Sequence, residues 1–190
     1  PIRRMITRSP EAFILVTGCY SQAAPETISA IAGVDYVCGN SNKMSVADKL
    51  CKLIEDGKKD TVINVEDLAK APFEPMTITK FDRTRAYVKI EDGCENRCAY
   101  CAIPAARGSV RSKHPDDVLR EVSAFVADGC PEIVLTGIET ASWGRDLEDG
   151  DLAGLLEEVD RIEGIGRVRL CSLDPSLMRP AFVERIAALP

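Results

Sequence analysis

The sequence predicts an α/β protein made of two successive parts, each built on parallel strands. Residues 1–79 alternate short apolar runs with helical patterns, and residues 80–190 repeat the order strand, loop, helix three times. Between them, residues 70–85 contain two prolines and no sustained period, as a linker between domains would. We therefore expect a boundary near residue 80, and the repeated βα units predict either a barrel or an open parallel sheet.

In the first part, apolar runs predict three strands, at 13–17, 34–38 and 62–65, the first of them buried. A helix is expected at 24–32, where Pro25 fits the first turn, and another at 45–56, which ends at Gly57. The second helix is amphipathic. Its apolar face carries Val46, Leu50, Leu53 and Ile54.

In the second part, strands are expected at 86–90, 132–136 and 168–172, each followed by a helix, at 116–127, 152–162 and 179–189. Asp116 occupies the expected N-cap of the first helix, and Pro175 and Ser176 are expected to open the last one. Functional side chains of such folds lie on the loops after the carboxyl ends of the strands. Those loops are therefore the first place to look for a site.

Three cysteines follow the first strand of the second part in the spacing C-x3-C-x2-C, at Cys94, Cys98 and Cys101. Three thiolates can hold a 4Fe-4S cluster that leaves one iron open for chemistry, whereas structural zinc takes four protein ligands. Gly93 would let the backbone turn into the loop, and Tyr100 would shield the cluster from water. The alternatives are a zinc site completed by His114 and a disulfide pair.

Composition excludes several classes of protein. The chain has 190 residues, 45% of them hydrophobic, which is enough for a real core, and no apolar run is long enough to cross a bilayer. Cysteines in apolar stretches and the lack of a secretory segment fit a reducing cytosol. Because the chain starts at Pro1 and stops at Pro190 without a tail, we expect it to be a fragment.

Charge is distributed unevenly along the chain. Residues 1–79, 80–113 and 114–190 carry net charges of -1, +4 and -9, so the positive segment surrounds the cysteine loop. Such side chains could bind phosphates or a cofactor carboxylate, and the alternative is a solvated surface balanced by acidic residues. They are Arg83, Arg85, Lys89, Arg97, Arg107, Arg111 and Lys113.

Four stretches in order, LVTGCYSQ, VDYVCGNSNK, RAYVKIEDGCENRCAYCAIPAARGSVRSK and EIVLTGIETASWGRDL, resemble the radical S-adenosylmethionine methylthiotransferases over essentially all 190 residues. These enzymes insert sulfur and a methyl group at an unactivated C–H bond. RTRAYVKI, LTGI and PAARGSVRSK look most like the branch that acts on threonylcarbamoyl-adenosine beside the tRNA anticodon. Branches that act on isopentenyl-adenosine in tRNA or on a ribosomal protein aspartate are close competitors.

The resemblance implies a partial, flavodoxin-like N-terminal methylthiotransferase domain at 1–79, followed at 80–190 by the first three βα units of an incomplete radical SAM barrel. It implies that Cys94, Cys98 and Cys101 hold the 4Fe-4S cluster that binds S-adenosylmethionine. Cys19 matches the last of three N-terminal cysteines that hold a second cluster. The other two would lie upstream of Pro1, and the family's C-terminal RNA-binding domain is also missing from this sequence.

In the family's mechanism, S-adenosylmethionine binds the open iron and is cleaved by one electron to give a 5'-deoxyadenosyl radical, so an external electron donor is expected. Gly137, Glu139, Thr140 and Ser172 are candidate cofactor contacts because they follow the second and third strands. The expected protein is a cytoplasmic transferase with tRNA as substrate and no membrane partner. The alternative classes are a non-catalytic iron-sulfur redox module and an inactive truncated product.

Overall fold

The computed structural model describes residues 1–41, 43–57, 60–69, 71–74, 76–78, 81 and 84–190. The chain forms two compact units, Pro1–Glu74 with Arg97–Gly108, and Pro75–Asn96 with Ser109–Pro190. The chain therefore leaves the second unit after Asn96, inside the cysteine loop, and returns to it at Ser109. No described helix is long and apolar enough to span a membrane.

The first unit contains a three-stranded parallel sheet in the order β1, β2, β3. Strand β1 is Leu15–Thr17, β2 is Tyr36–Cys38 and β3 is Val62–Asn64. The three strands predicted for this part are confirmed in shorter form, but the first is only partly buried, and β2 is the one that lies fully in the core. Residues Ile28, Val34 and Val37 form the buried core of the unit.

Helices of the first unit include two that the sequence predicts and three that it does not. Helix α3 lies within 24–32 and has Pro25 in its first turn, and α4 lies within 45–56. On the predicted apolar face of α4, Ile54 is exposed and the other three residues are partly buried. The unpredicted helices have seven residues or fewer, too few to show a helical period. The helices are α1 Ile2–Arg8, α2 Cys19–Ala23, α3 Pro25–Ser29, α4 Val46–Glu55 and α5 Ile103–Arg107.

The second unit contains a parallel sheet in the order β4, β7, β8 and a short antiparallel pair, β5 and β6. Helices α6, α7 and α8 complete the three βα repeats that the sequence predicts. Valine, isoleucine, leucine, phenylalanine and tryptophan side chains from sheet and helices form one buried core. The elements are β4 Arg85–Lys89, β5 Glu91–Asp92, β6 Arg111–Ser112, α6 Pro115–Ala127, β7 Glu132–Thr136, α7 Leu152–Asp160, β8 Arg167–Leu170 and α8 Pro180–Ala187.

Two predicted helix starts are wrong. The N-cap of α6 is His114, not Asp116, because Pro115 takes the first helical position and the His114 ring accepts a hydrogen bond from the Asp116 N–H. Helix α8 begins at Pro180, whereas Pro175 and Ser176 belong to a separate 3-10 turn capped by Asp174. Each proline begins a turn, since its missing N–H is an orphan there in any case.

A buried ion pair joins β6 to α6 in the second unit. Lys113, which directly follows β6, is 1% exposed and pairs with Glu121 of α6, which is 3% exposed. The second carboxylate oxygen of Glu121 accepts the Ile78 N–H at 3.0 Å, and the Lys113 carbonyl accepts the Trp143 indole N–H at 3.0 Å. The Glu121 carboxylate therefore has two partners, the Lys113 ammonium and the Ile78 N–H, and such additional hydrogen bonds offset part of the cost of burying a charge.

Glu91 is a second buried acidic residue of this unit, with no exposed surface. Its Oε2 accepts the N–H groups of Ile138 and Glu139, both at 2.8 Å. Burial raises the pKa of the Glu91 carboxyl from 4.5 to about 7, against the lowering effect of the two backbone hydrogen bonds. Asp92 raises this pKa further and Lys89 lowers it.

Replacing one partner of the buried ion pair should destabilise the fold strongly. We expect Glu121→Gln to lower the free energy of unfolding by about 3 kcal/mol, because it leaves the Lys113 charge buried without its counter-ion. Urea unfolding measures the change. The exposed Glu158 of α7 gives a matched control, since Glu158→Gln should change stability by less than about 0.5 kcal/mol. Equal stability of the two variants would contradict the assigned role of the pair.

Glu91 should make the protein less stable as the pH rises. Between about pH 4.5 and pH 7 the native carboxyl stays protonated while the unfolded one has lost its proton, so the native state binds more protons and the free energy of unfolding falls. The loss should be on the order of 2 to 3 kcal/mol. Urea unfolding of the wild type and Glu91→Gln at about pH 5 and about pH 8 tests it. The variant should lack this part of the pH dependence, and identical profiles would refute the assignment.

Candidate functional site

The cysteine loop begins directly after the short strand β5. Gly93 has φ 94°, a left-handed conformation that glycine adopts at little cost, so the predicted turn into the loop is confirmed. Cys94 and Cys101 are partly buried, Cys98 is exposed, and the Cys101 N–H donates to the Cys98 carbonyl at 3.0 Å. Tyr100 is 92% exposed, so the expected apolar wall is not formed by this side chain.

The three thiols belong to different parts of the fold. Cys94 lies in the second unit, and Cys98 and Cys101 lie in the first. Within the described residues, no three histidine, cysteine or acidic side chains are grouped as a metal site, and the eight cysteines are not joined by disulfides. The donor set, three reduced thiols within eight residues of sequence, nevertheless fits an iron-sulfur cluster chemically. His114 caps α6, which gives it a structural role.

Asp92 fixes the point at which the chain enters the loop. Its carboxylate accepts the Gly93 N–H at 3.0 Å and lies 2.8 Å from Lys89 Nζ and 3.4 Å from Arg111 Nη2. Asp92 and Arg111 also face each other across the β5–β6 pair. Because both are buried, their ion pair is little screened by solvent.

Most of the positive side chains around the loop have internal partners. Arg111 and Lys113 are buried in ion pairs, and the expectation that they face a phosphate is wrong. Lys89 pairs with Asp92, and Arg85 lies 3.6 Å from Glu132. Arg97 is exposed, and Arg83 lies outside the described residues.

Cys19 is the first residue of α2, just after Gly18, whose φ of 117° turns the chain out of β1. Its sulfur accepts a hydrogen bond from Arg107 Nε of α5 at 3.2 Å, within the first unit. Arg107 is therefore engaged with a candidate ligand, which argues against the phosphate contact expected of it.

The candidate cofactor residues after β7 form a compact turn. Glu139 is 8% exposed and caps the 3-10 turn Thr140–Ser142 by accepting the Ala141 N–H at 3.3 Å. Thr140 is fully buried, and its Oγ1 has no hydrogen-bond partner among the described residues. Such an orphaned polar atom fits a position where a bound polar group completes the hydrogen bond.

Ser172 lies beside this turn. Strand β8 ends at Leu170, so Ser172 is two residues beyond the strand and not its last residue as predicted. Its φ of 55° is a left-handed conformation that serine rarely adopts, and its carbonyl accepts the Thr140 N–H at 2.9 Å. The fold thus brings the candidates on the loops after β7 and β8 into one place.

Glu91 and Asp174 are members of this region that the sequence did not reveal. Gly137 packs against Glu91 so closely that an added Cβ would lie 2.5 Å from Oε2. The Asp174 N–H donates to Glu139 Oε1 at 3.0 Å, and Asp174 Oδ2 lies 3.5 Å from Asn96 Nδ2. For Glu91, the sequence showed only that an acidic residue directly follows the strand pattern YVKI, and that position does not indicate that the side chain is buried.

Comparison with known proteins adds independent evidence. The family model of the Radical SAM superfamily matches residues 88–190. The chain is 40% identical over 186 residues to a threonylcarbamoyladenosine tRNA methylthiotransferase of Bacillus subtilis, with 96% of this chain and 41% of that relative covered. It is 38% identical over 184 residues to a ribosomal protein uS12 methylthiotransferase of Desulfotalea psychrophila, with 95% and 41% covered.

A third relative is a tRNA-2-methylthio-N(6)-dimethylallyladenosine synthase of Desulfitobacterium hafniense, 33% identical over 192 residues, with 98% of this chain and 42% of the relative covered. The chain thus spans about two fifths of the length of these curated relatives. These three relatives confirm the resemblance to methylthiotransferases that the sequence motifs indicated.

Among solved structures, a radical S-adenosylmethionine methyltransferase of Kitasatospora setae, with cobalamin and a [4Fe-4S] cluster bound, matches with a TM-score of 0.65. The match covers 98% of this chain and 43% of that one at 19% identity, which supports a shared fold and nothing finer. The superfamily match begins within β4, the strand that leads into the cysteine loop, and covers more than half of the residues. The chain belongs to the radical SAM superfamily.

Proposed function

We propose that this chain is part of a radical SAM methylthiotransferase, a transferase that adds a methylthio group to its substrate. One observation carries the proposal. Three relatives, named for methylthio modification of three different substrates, each align with 95% or more of the length of this chain. An iron-sulfur redox module without catalysis is less well supported, because electron carriers typically use four cysteine ligands and leave no iron open.

Within this proposal, Cys94, Cys98 and Cys101 hold a 4Fe-4S cluster that binds S-adenosylmethionine. When bound, the two cofactors supply a radical that removes a hydrogen atom from an unactivated C–H bond. The chain's own residues bind and orient. The Thr140 hydroxyl is available for a polar group of the cofactor, and Asp92 with Arg111 holds the entry to the loop. Gly137, Glu139 and Ser172 complete the proposed contacts.

We propose that residues 1–79 are the end of an N-terminal methylthiotransferase domain. Residues 80–190 are then the first three βα units of the radical SAM domain. Cys19 is proposed as a ligand of a second cluster in the full-length protein. Its hydrogen bond from Arg107 supports this role, because hydrogen-bond partners orient ligand side chains and hydrogen bonds to ligand sulfurs tune cluster potentials.

The proposed substrate is tRNA that carries threonylcarbamoyl-adenosine beside the anticodon, with an external electron donor as the second partner. The identity of 40% to the Bacillus subtilis relative supports this branch, as do the motifs RTRAYVKI and LTGI. A tRNA substrate implies action in the cytoplasm.

Anaerobic reconstitution of this chain should yield about four irons on the cysteine loop. We expect Cys94→Ser, Cys98→Ser and Cys101→Ser each to remove most of that iron, because each takes away one of three ligands. The exposed Cys51 lies on α4, outside the loop, and Cys51→Ser is the matched control that should leave iron binding unchanged. Stoichiometric zinc that is lost on His114→Ala would contradict the cluster assignment.

Deleting the gene of the full-length protein should leave threonylcarbamoyl-adenosine in tRNA without its methylthio group. Mass spectrometry of tRNA nucleosides measures this, and a copy with Cys98→Ser should fail to restore the modification. If that nucleoside stays methylthiolated while the dimethylallyl nucleoside or the ribosomal aspartate loses its group, the branch is wrong and the reaction class stands.

A further inference from the structure

Hydrogen bonds connect the loops that follow the three parallel strands of the second unit. Glu91 lies in the segment after β4, Ile138 and Glu139 follow β7, and Ser172 and Asp174 follow β8. Backbone and carboxylate groups link the three segments, and all of the residues belong to the same compact unit. This series of hydrogen bonds starts at Glu91 and ends at the residues proposed to contact the cofactor, among them Glu139 and Ser172.

The first link is the carboxylate of Glu91, which holds the turn after β7 by its main chain. Oε2 accepts two successive N–H groups, of Ile138 and Glu139, at 2.8 Å each. Gly137 makes the approach possible, since any larger residue there would place its Cβ 2.5 Å from the same oxygen. Oε1 has no partner among the described residues, so the two backbone bonds are the visible anchor of this buried side chain.

The second link runs from the turn to the loop after β8. Glu139 Oε1 accepts the Asp174 N–H at 3.0 Å, and the Ser172 carbonyl accepts the Thr140 N–H at 2.9 Å. Asp174 then approaches Asn96, which stands between Cys94 and Cys98 in sequence. A change in the orientation of the turn therefore reaches both the Glu139 carboxylate and the loop after β8.

We propose that Glu91 is a positioning residue that fixes the backbone of residues 137–139 and so holds Glu139 and Thr140 ready for S-adenosylmethionine. The inference rests on the proposed function. Loss of the carboxylate leaves two backbone N–H groups without their acceptor, and the turn rearranges to find another. The entry to the cysteine loop is held directly by Asp92, and the turn reaches the loop only through the 3.5 Å contact of Asp174 with Asn96, so we expect cluster assembly to survive substitution of Glu91.

The position of the acceptor oxygen, not the negative charge, is the property that matters in this arrangement. Glu91→Gln keeps an oxygen at the same reach and can accept both N–H groups. Glu91→Asp keeps an ionisable carboxyl group but withdraws it by one methylene, about 1.5 Å of covalent bond length. The two conservative variants therefore separate positioning from electrostatics, and neither removes the side chain from the core.

The test uses the full-length protein, reconstituted anaerobically, with Glu91→Gln, Glu91→Asp and the exposed control Glu158→Gln. Iron content, the dissociation constant for S-adenosylmethionine and the change that it causes in the paramagnetic resonance spectrum of the reduced cluster are measured. All four proteins should bind equal iron. Glu91→Asp should bind S-adenosylmethionine roughly 10-fold more weakly, an effect of about 1.4 kcal/mol, and should show only about half of the spectral change at a concentration of about ten times the wild-type dissociation constant. Glu91→Gln should stay within about 3-fold of the wild type, about 0.7 kcal/mol.

Three results would overturn the proposal. In the first, Glu91→Asp binds as tightly as the wild type while Glu91→Gln is weakened, which assigns the effect to the charge of the side chain. In the second, both variants bind S-adenosylmethionine like the control, which removes any role in cofactor binding. In the third, either variant loses iron in proportion to S-adenosylmethionine, which assigns Glu91 to folding of the cysteine loop. If the wild type itself holds iron but does not bind S-adenosylmethionine, the proposed function fails, and this result is distinct from the other three.

Discussion

Parallel pairing of β4, β7 and β8 is the constraint on which the candidate site depends. Lys89 lies opposite Thr136, and Leu135 lies opposite Leu170, so the carboxyl ends of the three strands meet at one edge of the sheet. The segments after these ends carry chemically useful groups from distant parts of the sequence. No local interaction could bring them together, because the strands are separated by entire helices.

Buried carboxyl groups and a buried ion pair hold the loops of this unit in one arrangement. The carboxyl groups of Glu91 and Glu139 accept backbone N–H groups of neighbouring loops, and Asp92 accepts the N–H of the next residue, Gly93. The buried pair of Lys113 with Glu121 attaches β6 to α6. Desolvation makes an unpaired charge expensive, so each group is held to the partner that satisfies it. These residues are costly to bury, and they specify one arrangement of loops where apolar packing would allow several.

The cysteine loop differs from the rest of the site because its two ends belong to different units of the chain. Its entry is fixed in the second unit by Asp92, whereas Arg97–Gly108 belongs to the first unit, where the Asn40 side chain donates to the Ala106 carbonyl at 2.6 Å. The chain between these two anchors carries the ligand spacing. Evidence for the cluster therefore comes from the order of thiols along the sequence and from the superfamily match.

The sequence by itself determined the α/β class, the three βα repeats and the cysteine spacing, since periodicity, turn residues and ligand spacing are local properties of the chain. Proline capping shifted the start of α6 and α8, because a residue without an N–H competes for the first helical position. Only the tertiary structure decided that Arg111 and Lys113 are internal ion-pair partners and that Glu91 lies against Gly137. Burial and pairing depend on residues far apart in sequence, and net charge along a segment carries no information about them.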